Sequence, residues 1–169
     1  MTKLNRPRVL FLCTGNSCRS QMAEGWARHL LGDQVDACSA GTDPHGLNPL
    51  AVRAMREAGV DISSHTSTPV EDCSPETLDL VVTVCGHAHE NCPVFLAQNP
   101  RTRVVHHGFD DPPRLAANAA SDEEAMPHYR RVRDEIRAFI ETLPELLGHP
   151  MAARQQPPKE TSHDTNRSL

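Results

Sequence analysis

Two rhythms of hydrophobic and polar positions run along the chain. Residues 8–12, RVLFL, form a short continuous apolar run, which predicts a strand buried on both faces. Met22, Ala23, Trp26, Ala27, Leu30 and Leu31 then recur at three- and four-residue spacing. That spacing predicts a helix over 19–31, ended by Gly32. A weaker strand is expected near 34–39, followed by AGTDPHGLNP, a loop rich in Gly, Pro, Asn and Asp. A second helix near 48–58 carries Leu50, Ala51, Ala54, Met55 and Ala58 on one face, and Gly59 stops it. LDLVVTVC (78–85) and TRVVHH (102–107) predict two more strands. Over 122–143, Tyr129, Val132, Ile136, Phe139, Ile140 and Leu143 form the apolar face of a helix. Pro127 is expected in its first turn, and Pro144 ends or kinks it. From Pro150 onward the apolar content is too low to pack. A folded domain over 1–148 and a disordered tail over 149–169 are therefore expected.

Strands alternating with helices define an α/β fold with a parallel sheet. In such folds ligands bind outside the carboxyl ends of the strands. Cys13, Cys85 and HGFDDPP (107–113) each follow or end a predicted strand, so one edge of the sheet collects all three.

Composition narrows the function classes. The chain has 169 residues, 38% hydrophobic and 23% charged, which suits one globular domain. A formal net charge of -5 argues against a general nucleic-acid binder, so an anionic substrate would need a local positive site. No apolar run reaches the roughly 18 residues of a membrane span. The N-terminal MTKLNRPRVLFLC lacks a small-residue cleavage pattern, so no membrane segment or signal peptide is expected and a cytoplasmic location is. The six cysteines are then reactive, metal-binding or buried rather than permanently bridged.

Cys13 and Arg19 form a C-x5-R unit between the first strand and the first helix. The residues between them, Thr14, Gly15, Asn16, Ser17 and Cys18, make a loop of small residues that can turn backbone N–H groups inward around a tetrahedral oxyanion. The helix N-terminus adds its positive end, and Arg19 can grip two oxygens with its planar fork. Asn16 suits a left-handed backbone within the loop. The same field is expected to depress the Cys13 pKa, with the Ser20 hydroxyl donating to the sulfur. A departing oxygen needs a proton, and FDDPP offers Asp110 and Asp111.

CTGNSCRSQMAEGW together with DDP resembles the low-molecular-weight tyrosine phosphatase family. With VVTVCGHAHENCP added, the chain resembles the thioredoxin-coupled arsenate reductases built on that fold. The resemblance covers about residues 8 to 140. It implies a three-layer sandwich around a central four-stranded parallel sheet, arsenate as substrate, and thioredoxin as reductant. By it, Cys13 is the nucleophile, Arg19 the oxyanion clamp, and Asp111, directly before Pro112, the general acid. It further implies a relay in which Cys85 attacks Cys13 and Cys92 attacks Cys85. In a regular helix Cys85 and Cys92 would lie about 10.5 Å apart along the axis. A disulfide wants Cα atoms within about 7 Å, so a bridge requires that segment to unwind. Gly86 and Pro93 flank it.

Rival readings remain open on the residues. Cys85, His87, His89 and Cys92 are all zinc donors, though their spacing matches no common zinc pattern. CGHAHENC also reads as a surface helix with incidental cysteines. Cys38 is expected in the core, and Cys73 as a surface thiol without a partner. Some family members hold potassium beside the loop, at positions matching Asn16, Glu24, Ser39, Thr66 and Thr68. Thr68 stands where the family's pattern has aspartate, and losing that carboxylate weakens a cation site. For Glu24 the reading as a helix-surface charge is favoured over that of a cation ligand. No tightly bound cofactor is expected. Phosphatase relatives carry aromatic residues after the Asp-Pro, whereas DDPPRL has none, which favours a small inorganic anion. A phosphatase, a reductase coupled to a low-molecular-weight thiol, and a phosphate-binding module are the alternatives. A monomer is expected.

Overall fold

A four-stranded parallel sheet organises the chain, with strands β1 (Arg8–Cys13), β2 (Asp36–Gly41), β3 (Leu80–Thr83) and β4 (Arg103–His106). The computed structural model describes residues 6–85 and 100–148. Cys92, His87, His89 and the segment 149–169 lie outside the described residues. Among the described residues five α-helices accompany the sheet: α1 (Arg19–Leu31), α2 (Pro49–Glu57), α3 (Pro112–Leu115), α4 (Asp122–Glu141) and α5 (Leu143–Leu146). Among the described residues no helix is long and apolar enough to cross a membrane.

The strand order is β2-β1-β3-β4. The chain leaves β1 to form β2 on one side, then returns to add β3 on the other. This reversal makes the carboxyl end of β1 the topological switch point, where α/β sheets bind ligands. Cys13 is the last residue of β1. Val9 to Cys13 and Leu80 to Thr83 are buried without interruption, as a central parallel strand demands.

Pairing begins at Arg8 opposite Asp36, two residues later than the apolar pattern of 34–39 suggests. The reason is local. The Val35 and Gln34 N–H groups still bond the Leu31 carbonyl, so the helix turn continues past Gly32. Gly32 itself has ordinary helical backbone, with φ of -57°.

α1 packs on β1 and β2, and α4 crosses both α1 and α2. Trp26 is fully buried there, and its indole N–H donates to the Arg133 carbonyl of α4 at 3.1 Å. Arg137 covers the ring at 5.0 Å. Asn48 caps α2 by accepting from the Leu50 and Ala51 N–H groups, and donates to Tyr129 Oη of α4 at 3.2 Å. Ser121 caps α4 by accepting the Glu124 N–H, while the Glu124 carboxylate accepts the Ala120 N–H. Pro127 is not in the first turn as expected but sixth in the helix. Pro127 and Glu123, whose carbonyl loses its partner, are both exposed, so water can replace the missing bond.

Gly41 ends β2 opposite Cys13. A Cβ added there would stand 2.5 Å from the Thr14 carbonyl oxygen and 3.0 Å from the Asn16 N. Gly41→Ala is therefore expected to destabilise the fold by about 1–3 kcal/mol through overpacking. Denaturant unfolding measures it; a variant as stable as the parent would mean the strand end and the loop are not in this contact.

Candidate active site

The loop from Cys13 to Arg19 is shaped by what holds its carbonyls. The Cys13, Thr14, Gly15 and Ser17 carbonyls accept the N–H groups of Thr42, Asp43, His45 and Asn48, at 3.3, 2.8, 2.8 and 2.9 Å. Ser67 Oγ donates to the Gly15 and Asn16 carbonyls at 3.1 and 2.9 Å. Gln21 Nε2 also donates to the Asn16 carbonyl, at 3.0 Å. In a trans peptide the C=O and the following N–H point in opposite directions. No peptide bond here is cis among the described residues. Pinning five consecutive carbonyls outward thus turns the N–H groups of residues 14 to 18 toward the concave side. The result is an anion cradle at the N-terminus of α1.

Asn16 makes the sharp turn. It has φ of 47°, in the left-handed region that the sequence anticipates, and is fully buried behind the loop. Its Oδ1 accepts the Thr68 N–H at 2.8 Å, and its Nδ2 donates to Ser20 Oγ at 2.7 Å and Ser39 Oγ at 3.0 Å. Ser20 in turn places its hydroxyl 2.9 Å from Cys13 Sγ.

The loop faces a cavity of about 510 Å³. Its walls include Cys13, Thr14, Gly15, Ser17, Cys18, Arg19, Cys85 and Asp111. All of these are sequence-derived candidates. His45, Pro113 and Arg114 also line it, and the sequence reading does not single them out. Arg114 lies three residues after Asp111, a spacing that a basic-residue search around the acid would find. His45 has no sequence signal; its N–H bond to Gly15 places it. No Phe, Tyr or Trp is among these wall residues.

Arg19 donates from Nη1 to the Phe109 carbonyl at 2.9 Å, and its Nη2 stands 3.4 Å from Asp111 Oδ1. The two aspartates separate cleanly. Asp110 Oδ2 is held outward by Arg131 Nη2 at 2.9 Å. Asp111 occupies the N-cap position of α3, yet its side chain makes no capping bond. Its carboxylate stays with Arg19 in the cavity.

Cys85 follows β3 and is buried. Its sulfur accepts the Thr14 N–H at 3.3 Å and lies 3.6 Å from Thr14 Oγ1. It lines the same cavity as Cys13. The neighbouring Cys85 thiol and the loss of water on burial push the Cys13 pKa well up, while the Ser20 hydroxyl and N–H pull it down. The expected depression of the Cys13 pKa is thus overturned in this dithiol. Cys18 is buried at the start of α1, and burial pushes its pKa up. Its sulfur makes no side-chain cap bond, so its peptide N–H is what serves the cradle.

The potassium positions are joined by hydrogen bonds and an ion pair within the protein. Asn16 Oδ1 is committed to Thr68 N–H, and Ser39 Oγ donates to Glu24 Oε1 at 2.6 Å. Glu24 Oε2 already holds Arg28 at 2.7 Å. The Thr66 carbonyl accepts Gln21 Nε2 at 3.1 Å. Glu24 is only 7% exposed, so its reading as a surface charge is also corrected. Among the described residues no group of three or more His, Cys, Asp or Glu is arranged to hold a metal.

Removing the thiol partner should lower the Cys13 pKa, because Cys85 is the largest cause raising it. Cys85→Ala is expected to move the pH profile of Cys13 alkylation to lower pH, and Ser20→Ala to higher pH. Rate against pH with iodoacetamide reads both; an unmoved profile in Cys85→Ala would show that the Cys85 thiol does not raise the Cys13 pKa.

The family model for low molecular weight phosphotyrosine protein phosphatases matches residues 8–151. The arsenate reductase of Halalkalibacterium halodurans is 51% identical over 142 residues, covering 84% of this chain and 98% of that protein. A solved arsenate reductase in the phosphate-binding state superposes with a TM-score of 0.68 at 30% identity, over 83% of this chain and 98% of its own. The Corynebacterium glutamicum thioredoxin-dependent arsenate reductase gives a TM-score of 0.62 at 26% identity, over 85% of this chain and 62% of its own. The fold, the C-x5-R cradle and these matches agree: the chain belongs to the low molecular weight phosphotyrosine protein phosphatase family.

Proposed function

We propose that this chain reduces arsenate to arsenite through a relay of Cys13, Cys85 and Cys92, and that thioredoxin regenerates it. The observation that carries the reading is Cys85, a second thiol buried in the same anion cavity as Cys13. Phosphate-ester hydrolysis needs one nucleophile; a two-electron reduction needs two thiols. The arsenate reductase relatives and the thioredoxin-dependent neighbour support the same choice.

The chemistry follows from the positions. Arsenate enters the cradle of N–H groups, and its oxygens compete with Asp111 for the Arg19 fork. Cys13 attacks arsenic as its thiol proton passes through the Asp111 carboxylate to an arsenate hydroxyl, which departs as water. Cys85 then attacks the Cys13 sulfur. A Cys13–Cys85 disulfide forms, the As–S bond breaks, and its electron pair stays on arsenic. Arsenic passes from pentavalent to trivalent and leaves as arsenite. Cys92 attacks Cys85, frees the Cys13 thiolate and leaves Cys85–Cys92 as the oxidised product. Thioredoxin reduces that disulfide by thiol–disulfide exchange. DDPPRL carries no aromatic residue after the Asp-Pro, which favours a small oxyanion over phosphotyrosine.

Arsenate-dependent NADPH consumption with thioredoxin and thioredoxin reductase tests the reading. Steady consumption is expected, abolished by Cys85→Ser. Aryl phosphate hydrolysis that survives Cys85→Ser, without NADPH consumption, would make the chain a phosphatase. Consumption supported by a low-molecular-weight thiol alone would replace the thioredoxin arm. Arg19→Ala is expected to raise KM and lower kcat, cutting kcat/KM at least a hundredfold, about 2.7 kcal/mol. Unchanged kinetics would remove Arg19 from the site. Because Arg28 already neutralises Glu24, exchanging potassium for sodium is expected to leave kcat/KM unchanged. A potassium-specific rise would contradict that arrangement.

A further inference from the structure

Outside the active site the fold brings a second pair of sulfurs together. Cys38 sits mid-strand in β2, the edge strand, opposite Leu10. Cys73 ends the 3-10 turn Val70–Cys73, which packs against β2. Far from being a surface thiol, Cys73 is 5% exposed and lines the same cavity as Cys38. Cys38 is half-buried rather than fully in the core, with its sulfur 3.7 Å from the Val9 carbonyl. Both cysteines line a cavity of about 370 Å³, whose wall also carries Arg8, Ser39 and His65. The proposed relay uses neither sulfur.

We propose that Cys38 and Cys73 form a dithiol site that chelates trivalent arsenic. Each thiol proton joins a hydroxyl of As(OH)3 and leaves as water, so two As–S bonds replace two As–O bonds. No electrons move, and arsenic keeps one hydroxyl on the cavity side. Two thiols that face one cavity, from β2 and from the turn packed on it, can be bridged by one soft atom, whereas a disulfide requires the sulfurs to close to about 2.05 Å. Soft thiolates select soft acceptors. Zinc would want four ligands, and no group of three or more His, Cys, Asp or Glu is arranged for a metal among the described residues. The neighbouring Cys38 thiol and the charge of Arg8 hold the Cys73 pKa below its ordinary value, which gives the first As–S bond its nucleophile.

That arsenite is what this site meets in the cell rests on the proposed reductase activity; the chelation itself does not. The test therefore uses the full chain carrying Cys13→Ser, Cys85→Ser and Cys92→Ser, which cannot reduce arsenate. Its probe is phenylarsine oxide. Intact mass spectrometry is expected to find a single adduct per chain, with two thiols lost and both restored by 2,3-dimercaptopropanol. Peptide mapping should place the adduct on Cys38 and Cys73. Adding Cys38→Ala or Cys73→Ala should weaken uptake at least tenfold, with circular dichroism confirming that each variant is folded. The same mapping on the wild-type chain keeps the result independent of those variants. No adduct, an adduct on Cys18, or uptake that survives either alanine in a folded chain would overturn the proposal.

Discussion

The outward pinning of five carbonyls, from Cys13 to Ser17, is the constraint on which the site depends. A seven-residue loop of small side chains has no intrinsic reason to present its N–H groups to one point. It does so because the segment from Thr42 to Asn48, the Ser67 hydroxyl and the Gln21 amide bond every carbonyl on the far side. The cradle is thus a property of three separate chain segments and of the glycine at the end of β2. Its electrostatics come from peptide dipoles fixed before any anion arrives, so little reorganisation is left for binding.

The switch point puts redox chemistry next to that cradle. β1 ends at Cys13, and Cys85 follows its neighbour β3. Parallel neighbours present their carboxyl ends to the same edge, so two thiols far apart in sequence share a cavity without any special loop. Thr14 serves both sides: its carbonyl is tied to Asp43 and its N–H meets the Cys85 sulfur. Arg19 likewise links the cradle to the acid loop through Phe109 and Asp111.

Much of this was legible in the sequence. RVLFL, the 19–31 helix and the C-x5-R loop carry strong local signals, and they fold as expected. Asn16 adopted the left-handed backbone its side chain tolerates. The choice between Asp110 and Asp111 was not readable locally, because Arg131, on a distant helix, decides it. The Cys13 pKa was misread for a related reason. The local dipoles and the shared sheet edge of Cys13 and Cys85 are visible in sequence, but the depth to which both thiols are buried is not. Cys73 looked like a surface residue in VEDCSPET because short 3-10 turns have no periodicity to reveal which side chain points inward.

The most direct measurement uses Cys92→Ser with excess arsenate and thioredoxin, followed by acid quenching and peptide mapping. The relay predicts one arsenite released per chain and a disulfide linking Cys13 to Cys85. Arsenite release on repeated turnover, or a chain that releases arsenite with Cys13 and Cys85 still both reduced, would contradict it.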